Sequence, residues 1–535
     1  MVNRYWVNGT GNWDGSNTAN WDSVSGGAGG LSVPTASDDV FFDGNSGTGT
    51  CTIATTTALA KSLTTTGYTQ TLAGTVALTV SGNVTLGSGM TWSHSGTFTI
   101  NATGTLTTNG ITLNNLTKSV NGTTLTFADN VTVTNGVSLN AGTLDLNGKT
   151  LNCGQLNSNN TNTKTLAFGS AGVVNITGTG TVLNFAQVGP TVTGSRTVNI
   201  ITGGSTLITV TTTSLTTSSG FDLNITAGSF TLNMSGHARN VDFTGFSGAW
   251  TLSGGTLIFG NLTVSTGMSI SASTQSLTLN LASATQTIRT NGKTFDFPIT
   301  QNGSGGTVKL LDGLTMGSTR GFTHTNGTLD LNGQTLIVGT SYTTASGTKN
   351  ITFNSGILRL SGSGTVFNNA QPTNFTTTAG TGSGEIQLTN ASSAKTFAGN
   401  GSVYAATLAH NQPTGLTISG NNTFTSISST PGGRTFNFTA GTTQTVENFT
   451  ATGTSGNIVN LISTVNGTQW NITKSTGGTV SVDYMSIQDS NASPSSLTWY
   501  AGANSTSIAN NNGWIFTAPP APGGTQSNFL FLWAP

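Results

Sequence analysis

A ten-residue phrase written twice constrains this chain more than any other feature. Residues 142–151 read GTLDLNGKTL and residues 327–336 read GTLDLNGQTL. Nine of ten positions agree at an offset of 185, and the exception sets Lys149 against Gln334. Downstream, GTGTVLNFAQ (178–187) returns as GSGTVFNNAQ (362–371), seven of ten identical at an offset of 184. Upstream, Asn109-Gly110 answers Asn291-Gly292 at an offset of 182. A drift of three residues is what an internal duplication with short loop insertions leaves behind. Within each copy a Leu-x-Leu, Asn-Gly, Leu rhythm recurs on a shorter period. The copied segment is therefore itself built of repeats, as in a stacked, quasi-one-dimensional solenoid.

Residues 129–151, DNVTVTNGVSLNAGTLDLNGKTL, show the local logic. Val131 and Val133 alternate with Thr before Asn135-Gly136. Val137 and Leu139 alternate with Ser and Asn before Ala141-Gly142. Leu144 and Leu146 flank Asp145 before Asn147-Gly148. Period-two alternation places one apolar set on one face, and Asn-Gly supplies tight turns. Three short strands and three turns per 20–25 residues, roughly, predict one triangular coil stacked parallel on the next. At about 4.8 Å per coil, roughly twenty coils would extend about 100 Å. Inward ladders of Val, Leu, Ile and Phe would form the core, and outward Thr, Ser and Asn would bond one another. The expected fold class is thus all-β, a right-handed parallel β-helix with an aromatic-rich N-terminal cap and a C-terminal extension. The competing architecture is a series of antiparallel β-sandwiches. The lack of a compositional break between 190 and 290 favours the solenoid.

Composition narrows the function classes. Charged residues are 6% of the chain, 16 basic against 16 acidic. A neutral surface offers no electrostatic footprint for nucleic acid or an anionic membrane, and no segment reaches the ~20 apolar residues of a membrane span. Cys51 and Cys153 have no ligand spacing and are expected as two buried thiols. The first residues, MVNRYWVNGTGNW, contain no apolar signal-peptide core.

Residues 1–45 are expected to form the cap. Trp6, Trp13 and Trp21 are large enough to cover the exposed cross-section of a first coil. Asp14, Asp22, Asp38, Asp39 and Asp43 form the densest acidic stretch. They can serve as calcium ligands, or as turn formers, which their irregular spacing favours. The run GNWDGSNTANWDSV…VPTASDDVFFDG resembles the N-terminal segment of phage and bacterial β-helix proteins. The main body spans 46–440, with the duplication at about 105–190 and 287–375, and C-terminal coils and a cap occupy 441–516. There, Asp483-Tyr484-Met485-Ser486-Ile487-Gln488-Asp489-Ser490 and the run from Trp499-Tyr500 to Gly513-Trp514 resemble the C-terminal part of phage and metagenomic right-handed β-helix proteins. Trp499, Tyr500 and Trp514 are the expected closing aromatics. Residues 517–535 read as a Pro/Gly linker and an apolar docking tail, Phe529, Leu530, Phe531, Leu532 and Trp533.

Glycoside hydrolysis needs two carboxyl groups about 5–10 Å apart, and the acids of the body are far apart in sequence. Asp483 and Asp489, read as members of one strand, would be about 20 Å apart. His94, His237, His324 and His410 are expected as solvated singles on separate coils. No nucleophile elbow, zinc motif or phosphate loop occurs. The expectation is a non-enzymatic phage fibre or spike, without cofactor, at the virion surface. It would be a homotrimer bound to other virion proteins through one terminus and attaching to host-surface glycans. A polysaccharide-depolymerase tailspike and a bacterial adhesin or autotransporter passenger are the alternatives.

Overall fold

A computed structural model describes residues 2–158, 160–202, 207–390, 392–430 and 432–520. Strands dominate, and the helical elements among the described residues are two single 3₁₀ turns, Thr18–Asn20 and Pro372–Asn374. The chain forms a parallel β-solenoid of about 21 turns. It divides into two compact units, the first ending at Lys293 and the second beginning at Thr294. The first copy of the duplicated text lies in the first unit, and most of the second copy lies in the second.

The first unit shows why alternation suffices to build it. Val131, Leu151, Val174, Val198, Leu223, Val241, Leu262 and Ile288 stand opposite one another, one per turn. None is more than 1% exposed. Burial of each side chain contributes about 1.5–3 kcal/mol, and the ladder tolerates turns of unequal length. Leu223 to Val241 takes eighteen residues and Leu262 to Ile288 takes twenty-six. The outward neighbours form a second ladder. Asn175 donates its amide to Asn152 at 2.8 Å, Asn199 to Asn175 at 2.9 Å and Asn224 to Asn199 at 3.0 Å. Stacked amides satisfy one another without charge, which is how a surface this poor in Lys, Arg, Asp and Glu is built.

The second unit uses the same plan with other side chains. Leu314, Leu336, Leu358, Ile386, Leu408, Ile427 and Phe449 make one inward ladder. Phe322, Tyr342, Phe367 and Phe397 make another. Their successive rings lie 5.5, 5.4 and 4.5 Å apart and are tilted by no more than 13°.

The duplicated phrases adopt duplicated conformations. Asp145 accepts the amide of Asn147, and Asp330 that of Asn332, both at 2.8 Å. Asn147 and Asn332 are left-handed (φ 49° and 50°), as are the glycines that follow them. Each Asn amide reaches back one turn, to the carbonyl of Phe127 at 3.3 Å and of Leu310 at 2.9 Å. Asn109 and Asn291 repeat this corner, donating to Leu86 and Val264. The second phrase makes the same irregularity in each copy: register shifts fall between Thr181 and Leu183 and between Thr365 and Phe367. Alternation breaks there because Val182 and Leu183, and likewise Val366 and Phe367, are consecutive buried residues.

At the N-terminus the chain turns back on itself. Asn3–Trp6 pairs antiparallel with Trp21–Asp22 and parallel with Asp39–Phe41. Trp6, Trp13 and Trp21 are at most 1% exposed and converge on Phe42, with ring separations of 5.2–6.1 Å. The same segment also starts the ladders, since Gly11–Trp13 pairs with Thr50–Ile53.

Candidate functional site

The acidic stretch at the N-terminus is spent on turns. Asp14 accepts the amides of Ser16 and Asn17, Asp22 those of Ser23, Val24 and Gly29, and Asp43 that of Asn45. Asp38 accepts the amide and hydroxyl of Thr35. Asp39 binds Lys61 at 3.0 Å and Ser62 at 2.6 Å. Backbone amide donors pull the Asp14 carboxyl below its ordinary value. Asp22, Asp38 and Asp39 are also lowered, because hydrogen bonds outweigh the opposing effect of burial. Among the described residues, no three His, Cys, Asp or Glu side chains gather as a metal site would need.

Three acids of the body are similarly engaged, in separate places. Asp129 accepts the amides of Thr108 and Asn109. Asp222 pairs with Arg239 and Asp296 with Arg320. The expectation that Asp483 and Asp489 share a strand is corrected. The strand is Met485–Gln488, and the two acids flank it at corners where Tyr484 and Asp489 are both left-handed (φ 54°). Asp483 accepts the amide of Asn504, and Asp489 those of Gly467 and the Asn510 side chain.

The histidines require a second correction. Three of the four are inward, His94 at 1% exposure and His324 and His410 at 0%. Parity explains it: His94 shares its face with Trp92, and His324 with Phe322. The Nε2–H of His324 donates to the Gly327 carbonyl at 3.0 Å, and its Nδ1 accepts from the Tyr342 hydroxyl at 2.6 Å. Burial pushes its pKa down to about 3 and that of His410 to about 4. Lysines share this inward habit. Lys118, Lys164, Lys349 and Lys395 are no more than 2% exposed, and burial lowers the pKa of each. Lys164 and Lys349, 185 apart, stand opposite Gly142 and Gly327 and donate to nearby loop carbonyls.

The chain's concavities lie elsewhere. In the first unit an open groove of about 410 Å³ is lined by polar side chains and glycines of successive turns. Asn115 stands opposite Gly136, and Gly136 opposite Gln155. Register shifts precede Asn115 and Gly136 on their strands. Thr117, Ser138 and Asn157 form the next outward column. Gly154 and Gly178 border the groove because a Cβ at either would collide with a carbonyl of the preceding turn, that of Asn135 or of Gly154. The second unit has a smaller groove of about 190 Å³ bordered by Gly339 and Gly362, the counterparts of Gly154 and Gly178. There the conflicting carbonyls are those of Gly317 and Thr340. Another pocket of the first unit, about 680 Å³, lies between loops at 187–192 and 214–219 and includes Arg196.

Toward the C-terminus, Trp499 is fully buried, Trp514 is 9% exposed and Tyr500 is half-buried. Trp499 stands opposite Trp514, with ring centroids 5.5 Å apart, and the Trp514 indole donates to Ser490 at 2.9 Å. The docking tail, Phe529, Leu530, Phe531, Leu532 and Trp533, lies outside the described residues. No helix among the described residues is long and apolar enough to cross a membrane. Comparison with protein-family models, curated proteins and solved structures returned no match.

The groove leaves no direct signal in the sequence, because its lining residues share no fixed spacing. Its one trace is the pair of glycines that the duplication preserved.

Proposed function

We propose that the chain is a structural protein of a phage particle, a fibre or spike that displays an uncharged polar surface and attaches the particle to its host. The observation that carries this reading is the amide ladder on the outward face of a parallel β-solenoid. Such a surface presents many neutral hydrogen-bonding groups at a fixed repeat, and ladder pairing in every turn suits a particle exposed to the environment. The carboxylates support a non-catalytic role, since those described above are held by turn amides or by Lys and Arg. Assembly as a homotrimer, with one terminus on other virion proteins, belongs to the same proposal.

Three measurements test it. Antibody raised against the purified chain should label phage particles in electron micrographs, and portal, tail or capsid genes should flank its gene. Unlabelled particles together with neighbouring surface-anchor or secretion genes would refute the assignment. Light scattering should give three times the chain mass, and a monomer refutes the trimer.

A further inference from the structure

We propose that the first unit's groove is a binding site for a neutral oligosaccharide laid along the stacking direction, with Asn115, Gln155 and Asn157 as its principal hydrogen-bonding groups. The proposal rests on the attachment reading and gives it a place.

Charge selects the ligand class first. No Asp, Glu, Lys or Arg lines the groove, so nothing there would offset the desolvation of an ionic ligand. The pocket beside Arg196 differs in this respect. Hydrogen-bonding capacity selects next. The Asn115 amide donates to Ser95 at 2.9 Å, the Gln155 amide to Thr179 at 3.3 Å and the Asn157 amide to Gln155 at 3.3 Å. An amide carries two N–H groups and a carbonyl oxygen. Each of these side chains therefore spends one N–H internally, and that bond fixes its orientation. Pairs of oriented donors and acceptors match vicinal hydroxyl groups, which both donate and accept.

Dimensions select the shape. The lining runs from Thr97 through Asn115, Gly136 and Gln155 to Gly178, one residue from each of five turns. At about 4.8 Å per turn this is roughly 20 Å of groove, with polar side chains in each of the first four turns. A linear polymer with a regular repeat of hydroxyls fits that periodicity, whereas a compact metabolite would use a fraction of it. The duplication adds an independent argument. Glycines that border the groove recur at offsets of 185 (Gly154, Gly339) and 184 (Gly178, Gly362), and a groove recurs with them.

Gly136 supplies the test. Its backbone is not left-handed, and a Cβ there would meet only ordinary contacts, the nearest 3.6 Å away. Gly136→Trp should therefore fill the groove while leaving the turn intact, which circular dichroism checks. The full chain is applied to an array of neutral hexasaccharides (maltohexaose, cellohexaose, chitohexaose and a mannan hexamer) beside acidic ones. At least one neutral member should bind, with an affinity unchanged by added salt. Gly136→Trp and the Gln155→Ala/Asn157→Ala double variant should each weaken it by about tenfold or more. Three results overturn the proposal: no neutral member bound, binding that salt abolishes, or binding that both variants retain. Antibody labelling of particles, scored in parallel, separates the two readings. Labelled particles without neutral-glycan binding remove the groove and leave the virion assignment. Groove binding by a chain that labels no particle removes the virion assignment alone.

Discussion

Acidification from about pH 7.5 to about pH 5 should destabilise the second unit through its buried histidines. His324 and His410 are fully buried there, and burial holds their pKa values near 3 and 4 against an ordinary 6.5. Neighbouring cations add to the effect, Lys349 at His324 and Arg434 with Lys395 at His410. Below pH 6.5 the unfolded chain takes up protons that the folded chain refuses. Stability is therefore complete above 6.5 and falls as the pH drops toward the folded values. At about pH 5 each histidine costs about 2 kcal/mol, or about 4 for the pair. Asp483, whose carboxyl is held low by hydrogen bonds from Asn504 and Tyr484, acts in a lower window. Its contribution is present above its ordinary value near 3.8 and is lost below it. Guanidinium unfolding, followed by circular dichroism at both pH values, measures the difference. His324→Gln/His410→Gln keeps a donor and an acceptor at each site and removes the titration, so the double variant should lose far less on acidification. Equal losses in wild type and variant would refute the reasoning.

Other expectations follow from single sites. Gly142 and Gly148 belong to one phrase, and both are left-handed (φ 75° and 76°), but only Gly142 faces carbonyls, those of Val120 and Thr123. Gly148→Ala should cost about 1–2 kcal/mol and Gly142→Ala clearly more, measured as denaturation midpoints. Cys51 and Cys153 are free and buried, and burial raises both thiols, Cys153 to about 12. Neither should react with a thiol-specific chromogenic reagent until the chain unfolds. Trp21→Ala should cost about 3–5 kcal/mol and raise hydrogen exchange first in the opening turns, which depend on the Trp6, Trp13 and Phe42 contacts.

The ladders were legible because their rule is local. Val131, Val133, Leu144 and Leu146 point inward as their parity requires, and Asn147-Gly148 turns where an Asn-Gly pair should. Parity was also available for the histidines. Ser93 between Trp92 and His94, and Thr323 between Phe322 and His324, mark both rings as inward. Residue type suggested solvent instead, and position in the alternation decided. The groove was not legible in this way. It depends on which residue of one turn lands beside which residue of the next, and turns of eighteen to twenty-six residues erase any fixed spacing. A local pattern predicts a strand's face, whereas a site assembled across turns needs the register.

Register also turns the duplication into an internal control for a buried charge. Lys118 and Gln301 are 183 apart, within the drift of the repeat, and are equivalent in space. The Cε of Lys118 lies 3.4 Å from where a Cβ on Gly142 would sit, and the Nε2 of Gln301 lies 3.4 Å from the same point on Gly327. Both side chains are 1% exposed. Lys118 donates to the Asn101 carbonyl at 3.1 Å and to the Thr123 hydroxyl, while Gln301 donates to the Thr328 carbonyl at 2.8 Å. The counterpart of Thr123 is Gly306, since Gly142 faces the Thr123 carbonyl and Gly327 that of Gly306. The ammonium thus occurs in the copy with a hydroxyl to receive it, and the neutral amide in the copy without one. Lys118→Gln should change stability by no more than about 1 kcal/mol, because an amide already serves this position once. Gln301→Lys should cost about 1–3 kcal/mol, because it buries a charge where Gly306 offers no hydroxyl to receive it. Gly306→Thr, at a position without positive φ, should recover part of that loss in the double variant. A double-mutant cycle measures the coupling. A harmless Gln301→Lys, or a Gly306→Thr that restores nothing, would show that the lysine and the hydroxyl are not coupled.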